Sequence, residues 1–343
     1  MEQTSIIVKQ LAKTFRTPER GEGLAAALRD FTPRRYRDVA AVCGIDFTIQ
    51  PGEMVGFIGP NGAGKTTTLK MLSGLLYPTA GEARVAGFVP WERKPEFLRR
   101  ISMVLGNKSQ MIWDIPPLDS FRILAEIYSV PADAFRQTLD ELIELLEMRE
   151  ILAKPVRNLS LGERMKCELV AGLLYRPAVM FLDEPTLGLD VSMQVRLRDF
   201  LKEYNRRSGA TVILTSHYMA DVSALCSRVI LIHHGRLLYD GALGGLTGRL
   251  APFKIIRLAL AGQNGALGKE LEALSGGSLV APDEAADSSA AEGTYALRVA
   301  RSETPQVTAA LLNRYPVADL TVEDPPIEAV IDQIYQAGAE SFA

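Results

Sequence analysis

The sequence predicts an α/β domain that carries an inserted helical segment and is followed by a small α+β domain. Short apolar runs alternate with helical patterns over the first part of the chain, which is typical of a mostly parallel sheet. The pattern becomes largely helical over residues 118–175, and beyond residues 243–249 the composition turns rich in Ala, Gly and Ser. We therefore expect an α/β domain over residues 1–245, with a helical subdomain at about 114–176, and an accessory domain over residues 250–343.

Six apolar runs are predicted to be buried strands, because their length and the breakers that follow them fit a parallel sheet. Residues 17–39 interrupt this pattern and carry a basic patch at Arg34, Arg35 and Arg37, which we interpret as a solvated surface loop. The predicted strands lie at residues 6–8, 54–58, 101–105, 179–182, 211–214 and 229–232.

The inserted segment and the C-terminal region are predicted from the same kinds of signal. Leu139, Leu142, Ile143 and Leu146 recur at helical spacing and indicate one amphipathic helix. In the C-terminal region, residues 282–293 are expected to form a flexible tip. Strands are predicted there at residues 253–260, 295–299 and 318–322, and helices at 267–274, 305–313 and 326–336.

The composition limits the classes of function. With 343 residues, 47% apolar and 23% charged, the chain can bury a sizeable core, and its net charge of −3 gives no footprint for nucleic acid. The three cysteines stand far apart, which favours neither disulfides nor a zinc site and suggests a reducing compartment. The first residues lack a signal-peptide pattern, and no apolar run reaches the roughly 18 residues of a spanning helix.

A glycine-rich motif follows the second predicted strand and opens a helical pattern. Its spacing fits G-x-x-x-x-G-K-[ST], in which backbone N–H groups and a helix N-terminus bind phosphate, the lysine reaches the β- and γ-phosphates and the hydroxyl binds Mg²⁺. The alternative is a plain glycine-rich turn, but the strand before and the helix after are the context that a phosphate loop needs. The candidate residues are Gly59, Pro60, Asn61, Gly62, Ala63, Gly64, Lys65, Thr66 and Thr67.

Two adjacent acids, Asp183 and Glu184, close a predicted buried strand. An N-cap role explains one acid well and two poorly, because desolvating two like charges is costly. Ligands of open α/β sheets bind at the carboxyl ends of the strands. We therefore predict that Asp183 holds the Mg²⁺ of a bound nucleotide and that Glu184 is the base that polarises the attacking water.

The order of further motifs resembles that of the ATP-binding cassette (ABC) family over about residues 1–245. The stretch LSLGE at residues 159–163 is similar to the family signature LSGGQ, with Leu161 in place of a glycine and Glu163 in place of the glutamine. The resemblance implies an α/β cassette of the phosphate-loop type that hydrolyses ATP with Mg²⁺. It also places a D-loop at residues 188–190, a switch histidine at His217 and a glutamine loop at residues 107–110, where Asn107, with Gln110 as the second choice, supplies the amide for Mg²⁺ and water.

The resemblance further implies a head-to-tail dimer that holds ATP between two protomers. Ser160, Gly162 and Glu163 of one signature would face the γ-phosphate bound by the other protomer, and Asp190 would lie across the interface. His217 would contact the γ-phosphate and the attacking water. Phe15 occupies the place of the aromatic that stacks on adenine, although an isolated aromatic is as easily a core residue.

The function that the resemblance implies is that of an ATPase subunit, peripheral on the cytoplasmic face of the inner membrane. Its partners would be separately encoded permease subunits and a second ATPase protomer, most simply a homodimer, with no nucleic acid. Several stretches, among them the loop that holds Trp113, look like the bacterial drug-export branch with a small C-terminal domain.

Three alternatives stay open at the level of sequence. A methionine-type importer ATPase also ends in a small regulatory domain. A translation-associated ATPase usually carries two cassettes on one chain, whereas one phosphate loop is present here. A DNA-repair ATPase carries a long coiled coil, and this chain shows no sustained heptads.

Overall fold

A computed structural model describes residues 5–18, 36–106, 109–216, 218–250, 253–260, 294–325, 327 and 329–331. The chain divides into two compact units between Asp240 and Gly241. Asn107, His217, the predicted helix at 267–274 and the predicted tip at 282–293 lie outside the described residues, as do Arg34 and Arg35.

The larger unit is built on a six-stranded sheet whose strands are ordered β5-β6-β7-β3-β8-β9. The neighbours from β5 through β8 pair in parallel. Every residue of the three central strands is buried, which explains why they read as continuous apolar runs. The six strands of this sheet are β3 (Met54–Ile58), β5 (Ile101–Leu105), β6 (Val179–Asp183), β7 (Thr211–Thr215), β8 (Arg228–His233) and β9 (Arg236–Ala242).

A second sheet of the larger unit is antiparallel, with strand order β2-β1-β4. Its strands are β1 (Ile6–Pro18), β2 (Tyr36–Ile49) and β4 (Ala80–Val85). The expected loop over residues 17–39 is therefore partly wrong, since both of its ends lie in strands and Arg37 is an exposed residue of β2. Apolar residues of this sheet, such as Ile6 and Phe47, share one core cluster with Phe57 and Phe181 of the parallel sheet.

Most helices follow strands of the parallel sheet or form the inserted segment. The insertion contains three of them, and in one of these Leu139, Leu142 and Ile143 are buried together, as their spacing predicts. The helices of this unit are α1 (Lys65–Leu72), α2 (Pro95–Leu98), α3 (Pro117–Ile127), α4 (Ala132–Leu145), α5 (Leu161–Leu173), α6 (Val191–Ser208) and α7 (Met219–Leu225).

The smaller unit is an α+β structure with its own apolar core. Its three strands pair antiparallel in the order β11-β10-β12, and Ile256, Leu297 and Leu311 are fully buried in one cluster. Of the helix predicted at 326–336, the structure describes residues 327 and 329–331, which are helical. The elements are α8 (Leu243–Leu250), β10 (Phe253–Leu260), β11 (Thr294–Ala300), α9 (Thr304–Arg314) and β12 (Val317–Glu323).

In the part of the chain that the structure describes, every helix is too short or too polar to cross a lipid bilayer.

Candidate functional site

The glycine-rich loop connects β3, a central strand, to the N-terminus of α1. Gly64 caps this helix with φ 109°, and a Cβ built on it would lie 2.5 Å from the Ala41 carbonyl oxygen. A Cβ on Gly59 would lie 2.2 Å from the carbonyl oxygen of Ile232. Both positions therefore require glycine, and the N–H groups at the start of α1 are left pointing toward the loop as an anion site.

Lys65 is buried beneath this loop, with 5% of its surface exposed. Its Nζ donates to the carbonyl oxygen of Gly59 at 2.6 Å and to that of Pro60 at 3.1 Å. Burial lowers the pKa of Lys65, while the carboxylates of Glu184 and Asp183 act in the opposite direction. The lysine is thus a desolvated donor that carbonyl oxygens hold in place and that phosphate oxygens can engage.

Asp183 ends β6 beside α1, and two hydroxyl groups bind its carboxylate. Thr66 Oγ1 donates to Asp183 Oδ2 at 2.9 Å, and Thr215 Oγ1, from the neighbouring strand β7, donates to Oδ1 at 2.7 Å. Asp183 is 9% exposed and Thr215 is fully buried. The hydroxyl of Thr66 and the carboxylate of Asp183 together form a pair of hard oxygen donors, the kind that Mg²⁺ prefers.

Glu184 follows immediately and adopts a left-handed backbone conformation, with φ 55°. Its N–H donates to the carbonyl oxygen of Thr215 at 3.0 Å and approaches Thr215 Oγ1 at 3.1 Å. The turn leads Glu184 to one wall of a cavity of about 170 Å³ next to α1. The other residues that line this cavity are Thr66, Lys70, Leu105, Gly106, Asp183 and Leu187.

The stretch LSLGE surrounds the N-terminus of α5. Ser160 is the N-cap, and its Oγ accepts from the Glu163 N–H at 3.2 Å while Glu163 Oε2 accepts from the Ser160 N–H at 2.7 Å. This capping box lowers the pKa of Glu163, chiefly through the backbone hydrogen bond from Ser160. Glutamate and glutamine both complete such a box, which explains how Glu163 can stand at a glutamine position. Leu161 is 45% exposed.

A phosphate loop, a hydroxyl–carboxylate pair and a second acid thus meet at the carboxyl ends of the central strands, and comparisons with known proteins assign the chain to a family. A family model described as ABC transporter matches residues 42–187. The ABC transporter ATP-binding protein NatA of Bacillus subtilis (strain 168) is 33% identical over 217 residues, which are 62% of this chain and 88% of the relative. The chain belongs to the ABC transporter ATP-binding family. It is an ATPase cassette.

Further comparisons concern the C-terminal region, a second relative and the fold. Residues 252–323 match the model of the EvrA-like ABC transporter C-terminal domain. The Nod factor export ATP-binding protein I of Burkholderia pseudomallei (strain 1710b) is 34% identical over 61% of this chain and 68% of the relative. The dimeric post-hydrolysis structure of the ATP-binding cassette MJ0796 shares the fold, with a TM-score of 0.58 and 21% identity over 69% of this chain and 98% of that one.

Gln110 is not among the residues that line the cavity beside Asp183 and Glu184. The Gln110 N–H donates to Glu168 Oε2 at 2.9 Å, and its side-chain amide donates to the carbonyl oxygen of Met103, in the edge strand β5, at 3.2 Å. Its role as the catalytic amide stays a prediction. Asn107, the preferred choice, lies outside the described residues and stays a prediction.

Two other predicted site residues lie on separate elements of the cassette. Phe15 is a half-buried residue of β1, with Lys13 Nζ 5.3 Å from the centre of its ring. Asp190 is the N-cap of α6, where its Oδ1 accepts from the Met193 N–H at 2.9 Å. The roles in adenine stacking and across a dimer interface stay predictions for these residues.

Sequence reasoning missed the residues that support the two acids. Thr215 bonds to Asp183 and Glu184, and Ser216 follows it. Gly106, after β5, donates its N–H to the Asp183 carbonyl oxygen at 3.0 Å, and a Cβ there would lie 2.7 Å from the carbonyl oxygen of Glu184. The one available signal was position, because each of these residues follows a predicted strand at the same sheet edge.

Proposed function

We propose that this cassette hydrolyses MgATP to drive export of a small molecule through separate membrane permease subunits. The observation that carries the proposal is the convergence of Lys65, Thr66, Asp183 and Glu184 at one edge of the parallel sheet. Each of these side chains suits a different part of ATP hydrolysis, namely phosphate binding, metal binding and activation of water.

Phosphate binding is assigned to the loop and to Lys65. The N–H groups at the start of α1 bind phosphate oxygens, and Lys65 Nζ exchanges its carbonyl partners for the β- and γ-phosphates. Thr66 and Asp183 fit Mg²⁺ as a hydroxyl and a carboxylate oxygen that already lie within 2.9 Å of each other. When bound, Mg²⁺ neutralises charge on the phosphates.

Water activation is assigned to Glu184. The bonds to Thr215 hold the Glu184 backbone against β7, so its side chain starts from a fixed position at the wall of the cavity. The carboxylate accepts a proton from the attacking water as the oxygen approaches the γ-phosphate. His217, which follows Ser216 in the chain, is proposed to contact the same water and phosphate.

The working form is proposed to be a dimer of cassettes, with a homodimer as the simplest case. Ser160 and Gly162 stand at the N-terminus of α5, where exposed N–H groups and the helix dipole attract an anion. The γ-phosphate bound by the partner protomer is the anion that we assign to them, and Asp190 is assigned to the protomer interface. The dimeric form of MJ0796 supports this proposal at the level of the fold.

The direction of transport and the location are parts of the same proposal. A matched protein is named as a Nod factor export subunit, which supports export. The cytoplasmic face of the inner membrane, beside the permease, is the location that the family resemblance implies. The second candidate is a methionine-type importer ATPase, which also carries a regulatory C-terminal domain. Binding of a small ligand to residues 250–343 would favour that candidate.

The proposed base is tested by Glu184→Gln. The variant is expected to bind MgATP and to hydrolyse it about 10²- to 10⁴-fold more slowly, because a lost general base costs about that factor. Phosphate release measures turnover, and size-exclusion chromatography with ATP measures whether the variant accumulates as a dimer. The matched control is Glu144→Gln, the same change on an exposed residue of α4. Wild-type turnover by Glu184→Gln would refute the assignment.

A further inference from the structure

Asp221 is a fully buried carboxylate outside every motif considered above. It lies in the first turn of α7 and has 0% of its surface exposed. Its Oδ2 accepts from Thr186 Oγ1 at 2.5 Å and from Ser216 Oγ at 2.8 Å. Its Oδ1 lies 3.6 Å from an Nη1 of Arg198, a residue of α6. One side chain thus connects four separate segments of the cassette.

The two hydroxyl partners flank the residues that carry out hydrolysis. Thr186 lies two residues after Glu184, and Ser216 lies between Thr215 and His217. Ser216 Oγ also accepts from the N–H of Tyr218 at 3.0 Å, so Ser216 bonds both to Asp221 and to the residue that precedes α7. Asp221 therefore joins the loop after β6 to the loop after β7.

The conformation of Glu184 requires such support. A left-handed backbone at a non-glycine residue is costly and persists only where the surrounding structure holds it. On the N-terminal side, Asp183 is held by Thr66 and Thr215. On the C-terminal side, Thr186 is held by Asp221. The turn at Glu184 is thus fixed at both ends by side-chain hydrogen bonds.

Fold stability alone does not call for a carboxylate at this place. A buried charge costs free energy that its partners only partly return, and an apolar side chain of similar volume often stabilises a fold as well or better. What a carboxylate adds is directional acceptance of two hydroxyl bonds, which defines where the two loops lie.

We infer that Asp221 is a positioning residue that, through Thr186 and Ser216, holds Glu184 in the geometry of ATP hydrolysis. The inference rests on the proposed role of Glu184. It predicts a loss in kcat with no loss in nucleotide affinity, because among the described residues Asp221 bonds to Thr186 and Ser216, whereas Lys65 bonds to Gly59 and Pro60 of the phosphate loop. A displacement of about 1 Å at a catalytic group can cost roughly 10²-fold in rate.

The test uses Asp221→Asn and two variants of its partner Thr186, all in the full chain. Thr186→Val keeps the shape and removes the hydroxyl, whereas Thr186→Ser keeps the hydroxyl. We expect Asp221→Asn and Thr186→Val to lower kcat about ten- to hundredfold, with the Kd for ATP within about twofold of wild type. Thr186→Ser should stay within about threefold of wild-type kcat. Asp133→Asn is the matched control, because the Asp133 side chain is 98% exposed.

The inference is overturned if folded Thr186→Val and Asp221→Asn turn over at wild-type rate, or if ATP affinity falls in parallel with kcat. It is also overturned if Thr186→Ser is as slow as Thr186→Val, since the hydroxyl would then be irrelevant. Circular dichroism checks folding, and if Asp221→Asn is unfolded, the two Thr186 variants decide. Wild-type turnover by Glu184→Gln refutes the proposed base itself, whereas a slow Glu184→Gln beside a fast Thr186→Val refutes only the role of Asp221.

Discussion

Replacing Lys65 by methionine should separate nucleotide affinity from stability. Methionine keeps an apolar stem of similar length in a site that is 5% exposed, so packing around α1 is largely preserved. What is removed is the ammonium group, which in this structure donates to the carbonyl oxygens of Gly59 and Pro60. In the ATP complex the same donors are assigned to the phosphates.

The loss of affinity follows from the bonds exchanged. Hydrogen bonds that involve a charged group contribute about 1.5–3 kcal/mol each, and neutral ones about 1 kcal/mol. Both sets of bonds involve the charged ammonium, so two bonds to anionic phosphates at the upper end of this range replace two bonds to neutral carbonyls at its lower end. The net contribution of Lys65 to binding is then at most about 3 kcal/mol. That limit corresponds to a Kd that is weaker by up to roughly 150-fold.

In the nucleotide-free protein, Lys65→Met should leave the stability at pH 7 unchanged or raise it. Burial is the largest influence on the pKa of Lys65 and lowers it, so the folded state penalises the charged form at neutral pH. The penalty is relieved as pH rises from the lowered folded pKa toward the unfolded value of about 10.4. Wild type should therefore gain stability relative to Lys65→Met in that window, and at pH 7 the variant should unfold at an equal or higher urea concentration.

Calorimetric titration with ATP and urea unfolding by circular dichroism measure the two quantities. Lys202→Met, at an exposed position of α6, is the control for loss of one positive charge. Unchanged ATP affinity in Lys65→Met would refute the phosphate role of this lysine. A large loss of stability at pH 7 would show instead that the ammonium chiefly neutralises Asp183 and Glu184 in the fold.

Three further predictions concern the dimer, the permease and the domain boundary. Ser160→Arg and Lys65→Met proteins should each be inactive, and mixing them should restore part of the ATPase activity through one intact composite site; full activity of Ser160→Arg alone contradicts a role for the signature. Trp113 is 48% exposed, and the Arg164 guanidinium lies 4.7 Å from its ring centre. Trp113→Ala should therefore weaken binding to the permease by about 2 kcal/mol or more, as copurification would detect, and leave basal ATPase activity intact. Loss of basal activity and stability together would assign Trp113 to packing. A chain that ends at residue 245 should fold, as measured by circular dichroism, and bind ATP, as measured by titration. An unfolded product would show that the domain boundary lies elsewhere.

The sequence alone determined the elements whose signal is local. The strands β3 and β5 have the predicted bounds, because each is a short, largely apolar run, and every residue of β3 is buried. The strands β2 and β4 escaped prediction for the opposite reason. Only two residues of β4, Ala83 and Val85, are buried, and pairing with β1 rather than apolar content makes this segment a strand.

The same division separates the parts of the candidate site. The phosphate loop and the adjacent acids could be predicted, because each consists of neighbouring residues whose backbone and chemistry act together. Their supports could not be predicted, because Asp183 and Thr215 are 32 positions apart and Thr186 and Asp221 are 35 apart. Such hydroxyl–carboxylate bonds form only because the strand order β6-β7-β3 places distant strand ends side by side. Side-chain hydrogen bonds across that edge produce no periodic pattern in the sequence.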